Sequence, residues 1–202
     1  MNSLLERALR AFDEINRQDP RLEDGEPTEL RYARRMSFRL DALAPDASDV
    51  VVLAVRAQHI ARWRIPRSDF PDGRAGYKRW RTTLGQMHAD VAADAMAEVG
   101  CDAATIERVR ALLTKSRLKH DPEVQLLEDV ACLVFLEHYF VPFARKHGYP
   151  HDKVVDIVRK TWNKMSERGH AAALQLAPSL PADLLAAVQE AIAAPVSRRP
   201  EP

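Results

Sequence analysis

DPEVQLLEDVACLVFLEHYFVPF, residues 121–143, is the stretch whose reading decides the fold. Asp121 and Pro122 stand in the order of a helix cap and a first-turn proline, and the long apolar run behind them predicts the innermost helix of a bundle. Working outward, Gly148 and Pro150 end that helix, a second runs through Val154, Val158, Trp162 and Met165 to Gly169, and a last one spans Pro181 to Ala194. Upstream, a helix from Asp102 to Lys119 turns Ile106, Val109 and Leu113 inward, and a long one from Gly76 to Val99 is closed by Gly100. The run VVLAVRAQHIA from Val50 is apolar on nearly every side, which suits a central helix. A helix from Thr28 to Leu43 buries Tyr32, Met36, Leu40 and Leu43, and the first helix carries Leu4, Leu5, Ala8, Leu9, Phe12 and Ile15 behind a Ser3/Glu6 capping box. QDPRLEDGEP and the segment holding Pro66, Pro71 and Gly73 read as loops. The expectation is a single compact all-α domain of about seven helices over residues 1–194, followed by a disordered tail, PVSRRPEP, at 195–202.

Composition narrows the function classes. A chain of 202 residues at 46% hydrophobic content can fill one substantial core without a second domain. Its net charge of +1 argues against a nucleic-acid partner, which needs a widespread basic surface. Cys101 and Cys132 form no CxxC pair, so neither a disulfide scaffold nor a thiolate zinc site is indicated, and a reduced, cytoplasmic setting fits. No apolar run approaches the ~20 residues of a membrane span, and MNSLLERALRAF lacks a secretory cleavage pattern, so Met1 is taken as the start of the mature protein. The apolar stripes of the first and last helices would serve a homo-oligomer as well as a closed core.

The chemistry-bearing segment is QHIARWRIPRSDFPDGRAGYKRWR, residues 58–81. Between Arg56 and Arg81 eight Lys or Arg stand against Asp69 and Asp72, a local +6 in a chain of +1. That imbalance predicts a site for an anionic, phosphorylated small molecule, with Arg62, Arg67 and Arg81 as guanidinium forks and Trp63, Tyr77 and Trp80 as stacking faces. A solvated loop and plain core packing are the bland alternatives for these side chains. Glu128 and Asp129, inside the apolar run, need a hydrogen bond, a cation or a proton to be buried. His59 ends the apolar third helix and His88 lies on the stripe of Leu84, Val91, Ala92 and Ala95. A lone histidine on such a face is ordinarily a satisfied core residue, but two imidazoles and a carboxylate from three helices also make a normal shell for a divalent metal.

The order of these features resembles the metal-dependent phosphohydrolases named for their His-Asp dipeptide. That resemblance implies an all-α scaffold holding a divalent ion (Mn, Fe, Ni, Co or Mg) and hydrolysing phosphoesters of nucleotides or related substrates. By it, His59 in Gln58-His59-Ile60 takes a place in the dipeptide, whose partner is absent, His88 the middle histidine and Asp129 the late aspartate; the first ligand falls near Glu29 or Tyr32. The implied mechanism has a metal on His59, His88 and Asp129 activating water, Arg62, Arg67 and Arg81 stabilising charge, and Glu128 or Glu29 completing the shell or acting as base. The strings QHIARWRIPR, GYKRWR, LEDVACLVFLE and TWNKMS look like a bacterial and fungal domain-of-unknown-function family, number 4202. This second likeness implies one surface shared by His59, Arg62, Trp63, Arg67, Tyr77, Trp80 and Arg81. Loss of the dipeptide leaves a second expectation, an anion- or nucleotide-binding protein without catalysis. A third, single-stranded RNA stacked on Trp63, Tyr77 and Trp80, is weakened by the shortness of the cluster.

Overall fold

The computed structural model describes residues 3–115 and 120–193, and the chain is all-α. The expected continuation of the fifth helix to Lys119 and the tail at 195–202 lie outside the described residues. Two compact units are formed, Met1–Leu127 and Glu128–Pro202.

The first unit is built from α1 (Leu4–Asn16), α2 (Thr28–Leu43), α3 (Asp49–Ala57), α4 (Gly73–Glu98) and α5 (Ala103–Leu113), with the start of α6 (Pro122–Val134). Two-residue strands, β1 (Leu22–Glu23) and β2 (Glu26–Pro27), pair antiparallel with Leu22 opposite Pro27. The capping box at α1 forms as the sequence predicts: Ser3 Oγ accepts from the Glu6 amide at 3.2 Å and Glu6 Oε2 from the Ser3 amide at 3.0 Å. The central position of α3 follows from its composition, since Val51, Leu53, Ala54, Val55 and Ala57 are all buried, and α1, α2 and α5 pack around it. Arg56 ties it to α1 through two bonds to the Asp13 carboxylate, at 2.8 and 2.7 Å, and donates to Ser37 of α2 at 3.1 Å. One cation of the basic segment is therefore structural. The fifth helix ends at Leu113, earlier than its sequence pattern predicts, and Lys115 turns the chain with φ +54°. The fourth starts early, at Gly73, because the loop before it folds onto its first turn: a Cβ on Gly76 would stand 1.8 Å from the Pro71 carbonyl oxygen.

The second unit holds the rest of α6, then α7 (Phe140–His147), α8 (His151–Trp162), α9 (Glu167–Leu176) and α10 (Ala182–Ala193), which lies against α8. Of the helix expected over residues 121–143, α6 forms, and its Val130, Leu133 and Val134 are fully buried. The expected helix is not one continuous α-helix, because residues Phe135–Tyr139 widen into a π turn before α7 resumes. Pro142 lies just beyond, and a proline inside a helix lacks the amide hydrogen and crowds the carbonyl four residues back, here that of His138. The helix expected to run through to Gly169 divides into α8 and α9, with Ser166 capping α9 by accepting from the Gly169 amide at 3.2 Å.

Asp129 holds that division in place. Its carboxylate accepts from the Ser166 amide at 2.8 Å and from Ser166 Oγ, so a buried acid has its oxygens satisfied by hydrogen bonds. Gly169 packs directly over it: an added Cβ would lie 2.8 Å from Oδ1 and 2.9 Å from Cγ. Replacing a helical glycine by alanine ordinarily stabilises by about 0.5–1 kcal/mol. Gly169→Ala should instead destabilise, by about 1–3 kcal/mol as overpacking does. Urea denaturation of the two proteins measures the sign.

Candidate anion-binding site

Beyond the last turn of α3 the chain reverses through a non-glycine residue in the left-handed region, Ala61 at φ +55°. That conformation costs an L-residue about 1–2 kcal/mol. The peptide joining Ile60 to Ala61 is gripped at both ends to hold it. Its carbonyl oxygen accepts from His88 Nδ1 of α4 at 2.7 Å, and its amide donates to Asn16 Oδ1 of α1 at 3.1 Å. Both gripping side chains are buried. The turn delivers a 3-10 helix, Arg62–Arg64, and brings Arg62 Nη1 to 3.3 Å from His59 Nε2.

His59 is fixed on every side. Its ring stacks on Tyr32 of α2 at 4.0 Å and 13°, and lies 5.9 Å from the ring of His88. Its Nδ1 is 3.6 Å from Glu29 Oε2. A guanidinium can only donate, so Nε2 of His59 accepts from Arg62 and the ring proton belongs on Nδ1, facing Glu29. Glu29 is buried, its Oε1 bound by Arg21 Nη2 at 2.7 Å, and its amide donates to Asp19 Oδ2 at 3.1 Å. Burial raises the Glu29 carboxyl above its ordinary pKa, opposed by Arg21 and Arg62.

A cavity of about 290 Å³ opens within this unit, lined among others by His59, Arg62, Arg81, His88, Thr114 and Lys115. Burial, followed by the charge of Arg62, holds His59 well below the ordinary imidazole range. Burial likewise takes His88 down to about 3, partly opposed by its bond to Ile60, with Arg62 and Arg81 adding to the drop. Both rings are neutral at neutral pH. Since a carbonyl only accepts, His88 carries its proton on Nδ1, leaving a bare lone pair on Nε2.

The predicted site residues separate into groups. His59, Arg62, Arg81 and His88 meet at the cavity, and Glu29 stands behind His59. Trp80 supports the site from outside: Arg62 lies over its ring at 4.8 Å, and its Nε1 donates to the Ile65 carbonyl at 3.0 Å. Tyr77 is half exposed and packs on Trp80 at 5.8 Å, while Trp63 lies under Arg64 at 5.8 Å. Arg67 is corrected from anion ligand to loop staple, because its guanidinium donates to the carbonyls of Phe70 at 2.7 Å and Pro71 at 2.9 Å. Glu128 and Asp129 belong to the second unit, where Glu128 faces Lys164 Nζ at 3.7 Å. Asn16, Thr114 and Lys115 were not foreseen; no local pattern marks a residue whose role depends on a partner 45 positions away, as Asn16 does.

Among the described residues no group of three or more His, Cys, Asp or Glu is arranged to hold a metal ion. The trio expected from the sequence, His59, His88 and Asp129, does not fit one: Asp129 gives both oxygens to Ser166, and His59 Nε2 faces a guanidinium where a cation would stand.

The family described as a domain of unknown function (DUF4202) matches residues 6–188, and the chain belongs to it. No curated protein and no solved structure matches the chain.

The neutral burial of His88 has a measurable signature. Above pH 6.5, its ordinary value, the ring is uncharged folded or unfolded; as pH falls the unfolded chain takes up a proton that the folded one refuses down to about 3, so stability is lost across that window. At pH 5 the loss from this one ring is about 2 kcal/mol. In His88→Asn, whose Nδ2 can still donate to Ile60, the drop in unfolding free energy between pH 7.5 and pH 5 should be smaller by that amount, as urea denaturation at the two values would record.

Proposed function

We propose that the first unit binds a small phosphorylated anion in the cavity bounded by Arg62, Arg81 and Lys115, in a family whose description names no activity. The observation that carries this reading is the meeting of three cationic side chains with two neutral imidazoles in one concavity. A guanidinium held between a histidine and a tryptophan face is pre-ordered, so little side-chain entropy is lost when an oxyanion docks. The volume, about 290 Å³, is at the small end of ligand pockets and suits a sugar phosphate or a single nucleotide. The positive charge that seats the ligand comes from the protein itself, without an ion.

A hydrolytic reading keeps one favouring observation: His59 Nδ1 faces the Glu29 carboxylate at 3.6 Å, the pairing that orients an imidazole for proton transfer. Turnover of a phosphoester, assayed with and without added manganese, would favour it over binding alone.

Melting temperature measured against phosphate, sugar phosphates and nucleotides in the presence of a chelator tests the binding reading. A ligand at a hundredfold its Kd should stabilise the fold by about 2.7 kcal/mol. Arg81→Gln, at an exposed position, should weaken that ligand about tenfold or more with the ligand-free melting temperature nearly unchanged. Stabilisation that disappears with the chelator would point to a metal site instead, and no stabilisation by any of these anions would end the proposal.

A further inference from the structure

His88 keeps a nitrogen that the folded chain leaves unsatisfied. Its ring is buried, Nδ1–H is committed to the Ile60 carbonyl, and Nε2 is enclosed with no hydrogen-bond partner. Buried acceptors of this kind are uncommon in folded proteins, and the residue that carries this one lines the cavity. The groups around it decide which donor. Arg62 and His59 face it from the turn after α3, Arg81 from its own helix, and Lys115 lines the same cavity from the end of α5. The nearby guanidinium charges work against protonating Nε2, so the ring offers a lone pair and nothing else. An oxyanion with acceptor atoms on every side would satisfy the cations but set its own lone pairs against that nitrogen.

Resting on the anion-binding reading above, we propose that the cavity selects an oxyanion that brings its own proton: hydrogen phosphate, or a phosphate monoester in its monoanionic form, whose P–O–H donates to His88 Nε2 while its remaining oxygens face Arg62, Arg81 and Lys115. His88 thereby acts as a specificity-determining residue, and rejection follows from the general rule that a site built to pair a hydroxyl discriminates against the analogue lacking it.

Phosphate and sulfate separate the possibilities cleanly. At pH 8 hydrogen phosphate and sulfate share charge and shape and differ by one O–H. Isothermal titration of the full chain with each salt, at matched ionic strength and in chelator, should give phosphate tighter than sulfate by about tenfold or more. In His88→Asn the phosphate affinity should fall to that of sulfate, with sulfate unchanged. Equal affinities in the unaltered protein would overturn the selection and leave the anion pocket standing. Binding of neither ion would overturn the pocket itself. Equal weakening of both ions in His88→Asn would make the histidine a scaffold residue only, which also overturns the proposal. The ratio in the unaltered protein decides the matter even if the variant does not fold.

Discussion

One peptide unit governs the candidate site. The amide between Ile60 and Ala61 is held at its oxygen by His88 and at its hydrogen by Asn16, and this grip offsets a left-handed alanine that sterics disfavour. That reversal ends α3 and starts the 3-10 turn Arg62–Arg64. With it, α1, α3 and α4 meet at a single peptide, and the cationic segment is folded back over the unit's own interior. The small side chain at position 61 limits the strain, and full burial of Asn16 and His88 strengthens both bonds by excluding water.

The electrostatics follow from that packing. Bringing Arg62 and Arg81 beside two histidines is tolerable because both imidazoles stay neutral, while the Asp19 and Glu29 carboxyls share the Arg21 guanidinium behind His59. In the Asp19–Arg21 pair, hydrogen bonds to Arg21 hold the Asp19 carboxyl below its ordinary pKa against the opposing effect of burial. Glu29 differs, because burial outweighs its bonds and raises it. Of the carboxylates around the site, Glu29 is the one whose second oxygen turns toward a histidine.

Much of the scaffold was legible in the residue pattern, for reasons that are local. Ser3 with Glu6 marks the start of α1, Asp102 caps α5 by accepting from the Thr105 amide at 2.9 Å, and the all-round apolar run at Val50 marks the buried α3. What escaped was set by partners distant in the chain or by small backbone departures. The π turn at Phe135–Tyr139 and the break before Ser166 interrupt runs whose composition reads as continuous helix. Charge counting singles out residues 56–81, yet charge alone cannot say which guanidiniums are consumed: Arg56 goes to Asp13 and Arg67 to two loop carbonyls, while Arg62 and Arg81 line the cavity.

The buried acids show which partners a carboxylate inside the fold takes here. A carboxylate in an apolar helix must find donors, and the sequence cannot distinguish an ion from a backbone amide as the source. Asp129 finds the Ser166 amide and hydroxyl, and Gly169 leaves space for it; Asp19 finds the amides of Arg21 and Glu29. Both acids therefore fix loop-to-helix junctions. His88 follows the opposite logic, since one ring nitrogen is consumed by structure and the other is left over. A residue that satisfies itself completely explains a fold, whereas one that is buried and half satisfied beside a cavity implies a molecule yet to arrive. That criterion is what the proposed anion site rests on: His88 lines a cavity together with Arg62 and Arg81, its unmatched group is a lone pair and the surrounding charge is positive.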